Sequence, residues 1–471
     1  MKSLLLVPDG VGIRNFLCGR FIDLLTQDGE VVVWHGTPEP ELPRCRNSAV
    51  QWLPLATFRE GVPERILRRA KVYGQLYGRR EPASEAMLRW LRPAGRPVTR
   101  LIGRTAQLAG WVFSSPRGLA ALERFHAEAT ERSGYMRDFE KVLAGQQPDV
   151  VFCTHQRASR AVPAMLAARR LGIPTATFIY SWDNLPKGRM AVHADHFLVW
   201  SEWMKEEMLH YYPEVSPDRV HIVGTPQFEH YFNPSLVRPR EVFLRSLGLD
   251  PGRPVVCFSG SDLSTSPYDP AYLSDVAEAL RRFPPQDRPQ ILFRPCPADT
   301  SGRFRGTLDE YPEIVLSEPL WFSHGEGDWT QIIPSMEDVS LLVNVVRHCD
   351  LVVNLGSTMA MDFAILEKPG IYLAYNQKNA AADQVWNVDD IYRLPHFRSV
   401  HELDPVYWAR SPQDLRPLMA RALAEPWEKS RARRAWLTRQ AMHPLDGASE
   451  RCRQALRTIA AVPSQVSTMF S

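Results

Sequence analysis

The sequence lacks several features that would assign it to a class at once. It contains no run of about eighteen apolar residues, so it predicts no membrane-spanning helix, and any membrane contact should be peripheral. Its seven cysteines include no C-x-x-C pair, which argues against a zinc knuckle and a disulfide framework and suits a reducing cytoplasm. The formal net charge is only +3, so no global field favours nucleic acid as a partner.

Two local features are also missing. No Asp-x-Asp pair stands at the end of a predicted strand, so we expect no essential metal. The first ten residues carry one positive charge and few apolar residues before Pro8, which predicts a first strand and not a signal peptide or membrane span. The ordinary apolar and charged fractions, 44% and 23%, predict a soluble globular protein with room for two large α/β domains.

The most informative stretch is 351–376, which reads as a buried strand, a Gly-Ser-Thr turn, a helix and a second strand. Gly356 allows a tight turn, and the hydroxyls of Ser357 and Thr358 would lie beside unpaired backbone N–H groups that can hold a phosphate. Asp362, one helical turn later, could accept hydrogen bonds from ribose hydroxyls. Helix capping alone would also explain these residues.

Another polar loop follows the first strand, at 9–16. Its G-x-G pattern lacks the third glycine of a dinucleotide fingerprint, so that interpretation is weak. Ligands gather at the carboxyl ends of strands in doubly wound sheets, and Asp9, Arg14 and Asn15 would lie there. We expect this loop to form one wall of a cleft.

The segment 65–117 is strongly basic, with twelve Arg or Lys residues against Glu81 and Glu85. Apolar residues are interleaved with the charges, as in amphipathic segments that lie on anionic lipid. The sequence favours a membrane-docking or acceptor-side role, tested by changing Arg68, Arg69, Arg79 and Arg80. The alternative is a solvated helical face whose apolar side lies in the core.

Strands and helices then alternate to about residue 223, a looser stretch follows at 228–254, and a second series begins with strands at 255–258, 290–293 and 314–316. Helices are expected from 412 to 461. His155 ends one buried strand and is a candidate base or a satisfied core residue. The loop at 181–189 is rich in polar residues, glycine and proline, which is typical of functional loops.

With these residues considered, the chain resembles a two-domain glycosyltransferase of the GT-B architecture, and in particular the CDP-glycerol glycerophosphotransferases of bacterial surface polymers. The stretch from Asp350 to Pro369 is similar to the donor motif of that family. The resemblance implies donor-phosphate roles for Ser357 and Thr358 and a nucleotide role for Asp362. It also implies two Rossmann-like, doubly wound parallel-sheet domains that face each other across a cleft.

Two further motifs depart from the family. Ser181-Trp-Asp-Asn-Leu-Pro-Lys187 looks like its Trp-His-Gly-Thr-Pro-Leu-Lys loop, with Asp183 in place of the supposed general base. A carboxylate can take that role if burial raises its pKa. Arg294-Pro-Cys-Pro resembles a basic-Pro-His-Pro loop with Cys296 in place of histidine. Because both histidines are lost, we expect transfer of a sugar and not of glycerophosphate.

We therefore expect a nucleotide-sugar-dependent glycosyltransferase, inverting and metal-independent, that acts on a lipid-linked or polymeric cell-surface glycan from the cytoplasmic face of the membrane. The alternatives are a CDP-glycerol-type polyol-phosphate transferase, a sugar-nucleotide 2-epimerase and a non-catalytic glycan-binding protein. Predicted domains are 1–230 on the acceptor side, 231–440 for the donor, and a tail, 441–471, that packs back toward the first.

The candidate residues fall into three groups. Those for catalysis are Asp183, Asp9 and His155. Those for the donor are Ser357, Thr358, Asp362, Gly356, Arg294, Ser259, Gly260, Ser261 and Thr225. Those for the acceptor are Arg14, Asn15, Trp182, Asn184 and Lys187.

Overall fold

The computed structural model describes residues 1–37, 49–79, 81–323, 332–377 and 386–461. They form two compact units, of which unit 1 contains Met1–Pro226, Leu394–His396 and the chain from Gln440 onward. Unit 2 contains Gln227–Arg393 and Phe397–Arg439. The first division between the units lies at Pro226.

Unit 1 is built on a seven-stranded parallel sheet. Its strands are β1 Ser3–Val7, β2 Val31–His35, β3 Val50–Pro54, β4 Val150–Cys153, β5 Thr175–Phe178, β6 His196–Val199 and β7 Val220–Ile222. They lie in the order β3-β2-β1-β4-β5-β6-β7. The strand order reverses between the neighbouring strands β1 and β4: β2 and β3 lie on one side of this point and β5 to β7 on the other. Such a point is the switch point of a doubly wound sheet, where ligands bind in such folds.

Helices cover both faces of this sheet because its central strands are apolar on both sides. They are α1 Ile13–Phe16, α2 Phe21–Thr26, α3 Val62–Arg79, α4 Pro82–Trp90, α5 Pro97–Val112, α6 Pro116–Glu131, α7 Met136–Gln146, α8 Val162–Arg170, α9 Glu202–Tyr211 and, from the end of the chain, α19 Ala448–Ala461. The ring of Phe16 packs edge to face on those of Phe21, Phe152 and Phe178, with ring centroids 5.1–5.2 Å apart. Edge-to-face contacts of this kind add to the apolar burial that stabilises the core.

The predicted basic segment forms α3, α4 and α5, inserted between β3 and β4. One of its charges is not at the surface: Lys71 is completely buried, and its Nζ lies 2.6 Å from Oε2 of Glu123 on α6. Arg189 donates to the other oxygen of Glu123 at 2.6 Å. Lys71 therefore belongs to a buried ion network and is not among the charges that could contact lipid or solvent.

Unit 2 contains a six-stranded parallel sheet and a two-stranded antiparallel one. Its strands are β8 Val255–Ser259, β9 Gln290–Arg294, β10 Ile314–Leu316, β11 Trp321–Ser323, β12 Ile332–Pro334, β13 Leu351–Asn354, β14 Gly370–Leu373 and β15 Tyr407–Ala409. The larger sheet has the order β10-β9-β8-β13-β14-β15, so its switch point lies between β8 and β13.

The helices of unit 2 are α10 Arg240–Ser246, α11 Asp269–Arg281, α12 Arg305–Glu310, α13 Met336–His348, α14 Met359–Ile365, α15 Val388–Tyr392, α16 Arg398–Leu403, α17 Pro412–Ala424 and α18 Ser430–Gln440. The predicted strands at 255–258, 290–293 and 314–316 are confirmed, as is the helical character of 412–461. None of the helices in the described ranges combines the length and hydropathy that crossing a bilayer requires.

Candidate active site

Asp9 and His155 form a buried pair at the switch point of unit 1. Each follows one of the two central strands, β1 and β4, which are neighbours in the sheet. Nδ1 of His155 lies 2.8 Å from Oδ2 of Asp9, and the two residues are 8% and 2% exposed. A carboxylate held at Nδ1 favours the tautomer that leaves Nε2 free to accept a proton, as in the arrangement of a general base.

The loop that carries Asp9 is fixed by local bonds and by one glycine. Asp9 caps the short 3₁₀ turn Gly10–Gly12, and its Oδ1 accepts from the backbone N–H of Val11 at 3.1 Å. A Cβ atom on Gly12 would lie 2.2 Å from Oγ1 of Thr154. Gly12 is thus needed for close approach of the loops after β1 and β4, which is the structural reason for a glycine in the G-x-G pattern.

Arg14 and Asn15 lie in α1, directly after this turn. Asn15 is completely buried, and within the described part of the chain neither atom of its amide group has a hydrogen-bond partner. Burial raises the pKa of Tyr180, whereas the charge of Arg14 lowers it and that of Asp9 raises it. The ring of Tyr180 lies 6.1 Å from that of His155. Arg14 and Tyr180 therefore lie near the Asp9–His155 pair.

Gln156 connects this pair to the polar loop after β5. Its Nε2 donates to Oδ1 of Asn184 at 2.7 Å, and its Oε1 accepts from the backbone N–H of Tyr180 at 3.2 Å. Asn184 in turn donates to Oδ1 of Asp183 at 3.0 Å. The structure thus joins the predicted residues Asp183 and Asn184 to His155 through a glutamine that the sequence analysis missed, although it directly follows His155.

Asp183 does not have the pKa that a carboxylate base requires. Burial alone would raise the pKa of its carboxyl, but the Lys187 ammonium, His396 and hydrogen bonds from Lys187 and Ser181 together hold it well below its usual range. The condition under which Asp183 could serve as the base, a carboxyl pKa raised by burial, is therefore not met. Asp183 and Lys187 form an ion pair within the loop, which suits positioning better than proton transfer.

Trp182 is nearly buried, so it presents little surface to a ligand. Its ring packs edge to face on that of His396, with centroids 4.8 Å apart. Burial lowers the pKa of His396 to about 3, although Asp183 raises it, so the imidazole is neutral near pH 7. His396 comes from the short segment Leu394–His396 that belongs to unit 1.

In unit 2 the predicted donor residues follow adjacent strands at the switch point. Ser259 ends β8, Gly260 and Ser261 come next, and Gly356 and Ser357 follow β13. Gly356 has a φ of +64°, and a Cβ there would lie 2.7 Å from Cζ of Phe397, so both backbone conformation and space require glycine. The structure brings these residues to one edge of the sheet.

The turn before α14 is held by its own polar groups. The Ser357 N–H donates to Oδ1 of Asn354 at 3.0 Å, and the Ser357 hydroxyl accepts from the Met359 N–H at 3.3 Å. Thr358 is the N-cap residue, and its carbonyl accepts from the Met361 N–H at 2.8 Å. Asp362 is buried within α14. Thr225, the remaining predicted donor residue, lies in unit 1 after β7 and is not part of this edge.

Arg294 is buried and already has an acidic partner. Its Nη2 lies 2.8 and 2.9 Å from the two carboxylate oxygens of Asp338. Asp338 also accepts from the Leu320 N–H at 2.8 Å and from Nε1 of Trp321 at 2.6 Å. Nη1 of Arg294 is buried and has no hydrogen-bond partner in the described ranges, so the ion pair with Asp338 leaves part of the guanidinium unused.

Arg303 is a further cation, beside the predicted donor residue Ser261, that was not among the candidates from the sequence. It donates from Nη2 to the Ser261 carbonyl at 2.8 Å and pairs with Asp299 at 2.6 Å. The Ser261 N–H donates to Asp269, whose pKa is raised by burial to about 7, against the opposing effects of that bond and of Arg303. The only sequence signal for Arg303 is its place in the Asp- and Ser-containing loop after β9.

Comparison with known proteins gives the fold a context. No protein family model matches the chain. The structure is similar over 98% of its length to a glycosyltransferase from Rickettsia africae, with 98% of that chain covered, 10% identity and a TM-score of 0.52. It is similar over 97% to a putative UDP-N-acetylglucosamine 2-epimerase from Listeria monocytogenes, with 96% covered, 11% identity and a TM-score of 0.55. The chain has the GT-B fold.

A third similar structure is that of MnaA from S. aureus in complex with UDP, with 98% and 99% of the two chains covered, 10% identity and a TM-score of 0.51. The predicted fold class, two Rossmann-like parallel-sheet domains, is confirmed. Identities near 10% support the fold and no finer relation, so the likeness to CDP-glycerol transferases remains a prediction.

One curated protein matches by sequence. It is the alpha-maltose-1-phosphate synthase of Mycolicibacterium smegmatis, which is 38% identical over 73 residues. The match covers 15% of this chain and 19% of that protein, so the chain spans about a fifth of the length of this relative.

Proposed function

We propose that the protein is a glycosyltransferase that moves a sugar from a nucleotide-sugar donor to a hydroxyl of a lipid-linked or polymeric cell-surface glycan. The observation that carries the proposal is the buried Asp9–His155 pair at the switch point of one sheet, in a chain whose second sheet has a polar edge suited to a nucleotide. We place the reaction in the cytoplasm, at the inner face of the cell membrane.

In the proposed mechanism Nε2 of His155 takes the proton of the acceptor hydroxyl. Asp9 holds Nδ1–H of the same ring at 2.8 Å and stabilises the imidazolium that forms. The acceptor oxygen bonds to the anomeric carbon while the bond from that carbon to the donor diphosphate breaks. The diphosphate leaves with the bonding electrons, so attack from the opposite face inverts the configuration. Asp183, the first candidate from the sequence, positions the loop.

The donor would bind at the edge of unit 2. The hydroxyls of Ser357 and Thr358 and the unpaired Nη1 of Arg294 would face the diphosphate. Asp362 would bind the ribose. Positive partial charges and a cation placed at the leaving group stabilise the charge that develops there, which is why we propose that no metal is needed.

A sugar-nucleotide 2-epimerase is the second candidate, because one of the structures similar in fold is a putative UDP-N-acetylglucosamine 2-epimerase. An acid–base pair such as Asp9–His155 could also serve epimerisation. The two reactions differ in one requirement: epimerisation alters the sugar without an acceptor, whereas transfer consumes one.

The first test is thermal stabilisation by a panel of UDP, GDP, CDP, dTDP and ADP, because a ligand that binds only the folded state raises its stability. We expect one nucleotide to stabilise the wild type selectively and the shift to disappear in Asp362→Ala. The Ser235→Ala variant, at an exposed position of unit 2, is the control. Stabilisation by CDP with turnover of CDP-glycerol would instead support polyol-phosphate transfer. A protein that no nucleotide stabilises would be a glycan-binding protein and not a transferase.

A further inference from the structure

Helix α5, Pro97–Val112, turns its large apolar side chains toward solvent. Leu101 is 66% exposed, Leu108 62%, Trp111 63% and Val112 59%. Positions 101, 108, 111 and 112 lie on one side of a helix, because residues three, four and seven apart share a face. The exposed apolar residues therefore lie along one side of the helix, and we call this side, Leu101, Leu108, Trp111 and Val112, the α5 stripe.

The inner side of the same helix consists of three small residues and one large apolar residue, Ile102. Gly103, Ala106 and Gly110 are buried, and a Cβ on Gly110 would lie only 2.5 Å from Cβ of Tyr73 on α3. Helix α5 therefore approaches α3 closely through its small residues, and Leu101, Leu108, Trp111 and Val112 lie outside the core. Contiguous exposed apolar surface of this kind marks an interaction site.

The charged residues near the α5 stripe along the chain are all of one sign. Arg100 and Arg104 are exposed and lie on the outward side of α5, beside Leu101 and Leu108. Residues 86–122 contain six arginines and neither aspartate nor glutamate. The stripe is thus bordered by positive charge that no neighbouring acid in this stretch offsets.

We propose that the α5 stripe docks unit 1 on an anionic lipid surface, with the helix lying in the plane of the headgroups. Apolar side chains enter the headgroup–acyl boundary, tryptophan favours that boundary, and arginines pair with lipid phosphates. The complementarity of charge favours lipid over an ordinary protein partner. The inference goes beyond the proposed reaction, because it does not depend on which group is transferred.

The structure also moves the membrane contact away from the arginines of α3 that the sequence favoured. Arg68 bonds both oxygens of Glu60, at 2.6 and 2.8 Å. Arg79 lies over the ring of Tyr211 at 4.1 Å and donates to the His210 carbonyl. These two side chains have partners inside unit 1. Arg80 lies outside the described residues.

The test is flotation of the full-length protein with vesicles of phosphatidylcholine alone or mixed with phosphatidylglycerol. Variants of the stripe are Leu108→Ser with Trp111→Ser, and Arg100→Ser with Arg104→Ser. Trp427→Ser is the matched control, because Trp427 is 65% exposed but lies in unit 2. Stabilisation by nucleotides is measured on the same samples, so that loss of docking is separated from loss of donor binding.

We expect binding to anionic vesicles that weakens about tenfold in the apolar variant and about fivefold for each arginine removed, with further loss at high salt. Trp427→Ser should bind like the wild type. Equal binding by the stripe variants and the wild type, or equal binding to neutral vesicles, would overturn the proposal. So would a wild type that ignores vesicles and forms dimers that Trp111→Ser dissociates, since the stripe would then join copies of the chain.

Discussion

The imidazole of His155 donates from Nδ1 to a carboxylate oxygen of Asp9 at 2.8 Å. The two residues follow the parallel strands β1 and β4, between which the strand order of the unit 1 sheet reverses. Both side chains are buried, and each stands at the carboxyl end of its strand. The pair thus occupies the position at which doubly wound sheets bind ligands. In the proposed reaction this makes His155 the base and Asp9 the residue that orients it.

The Asp183–Lys187 ion pair predicts that Asp183 positions its loop and does not transfer the proton. Lys187→Met should lower the free energy of unfolding by roughly 1–3 kcal/mol, because a partly buried carboxylate loses its partner. Asp183→Asn should reduce kcat less than tenfold, while the KM for the acceptor rises. Chemical denaturation and steady-state kinetics measure the two effects. A fall in kcat of a hundredfold or more in Asp183→Asn, with stability unchanged, would make Asp183 the base.

Gly356 should not tolerate any side chain, because of both its positive φ and its contact with Phe397. A second glycine with positive φ, Gly248, separates these two effects. Gly356→Ala meets both a φ of +64° and the ring of Phe397, whereas Gly248→Ala meets a φ of +77° with no atom within 4 Å of its Cβ. We expect about 1 kcal/mol of destabilisation for Gly248→Ala and roughly 2–4 kcal/mol for Gly356→Ala. Only Gly356→Ala should abolish stabilisation by nucleotides. Similar losses in both variants would show that the contact with Phe397 contributes nothing.

The buried Arg294–Asp338 ion pair predicts that Arg294 contributes to the free energy of unfolding even when no ligand is bound. Asp338→Asn leaves a buried guanidinium without its countercharge and should cost roughly 3–5 kcal/mol of unfolding free energy. In the double variant Arg294→Met, Asp338→Leu much of that stability should return, but nucleotide binding should not. The measurement is denaturant unfolding with and without the best nucleotide of the panel. A double variant that still binds the nucleotide normally would remove Arg294 from the donor site.

Asp269 predicts a dependence of stability on pH. Its pKa in the folded protein is raised by burial to about 7, so between the usual aspartate value and pH 7 the folded chain keeps a proton that the unfolded chain has lost. The free energy of unfolding should therefore fall as the pH rises through this window, by up to roughly 4 kcal/mol. Asp269→Asn should remove that fall. Parallel pH profiles of the two proteins would contradict the assignment.

Much of the fold was predictable because it depends on local patterns. Buried apolar runs identified most strands, and the turn at Gly356 identified the start of α14. The polar residues after neighbouring strands indicated the two candidate binding edges, since parallel strands end on the same side of a sheet. Asp9 and His155 were both candidates on that ground alone.

The rest depends on contacts that no local pattern contains. Asp338 is 44 residues from Arg294, and the His396 that packs on Trp182 follows α15 far along the chain. Periodicity also shows that a helix has two faces without showing which one is buried. In α5 the small residues face inward, and of the large apolar residues Ile102 is buried whereas Leu101, Leu108, Trp111 and Val112 are exposed, so the exposed stripe appears only in three dimensions.

The central claim is tested most directly by the release of nucleoside diphosphate from a nucleotide sugar, with and without a membrane glycan acceptor, in wild type, His155→Gln and Asp9→Asn. We expect release that requires acceptor, falls by roughly 10²–10⁴ in His155→Gln and falls less in Asp9→Asn, while the donor nucleotide stabilises all three proteins equally. Release at the wild-type rate in His155→Gln, or an altered sugar formed without acceptor, would contradict the proposed transfer with His155 as its base.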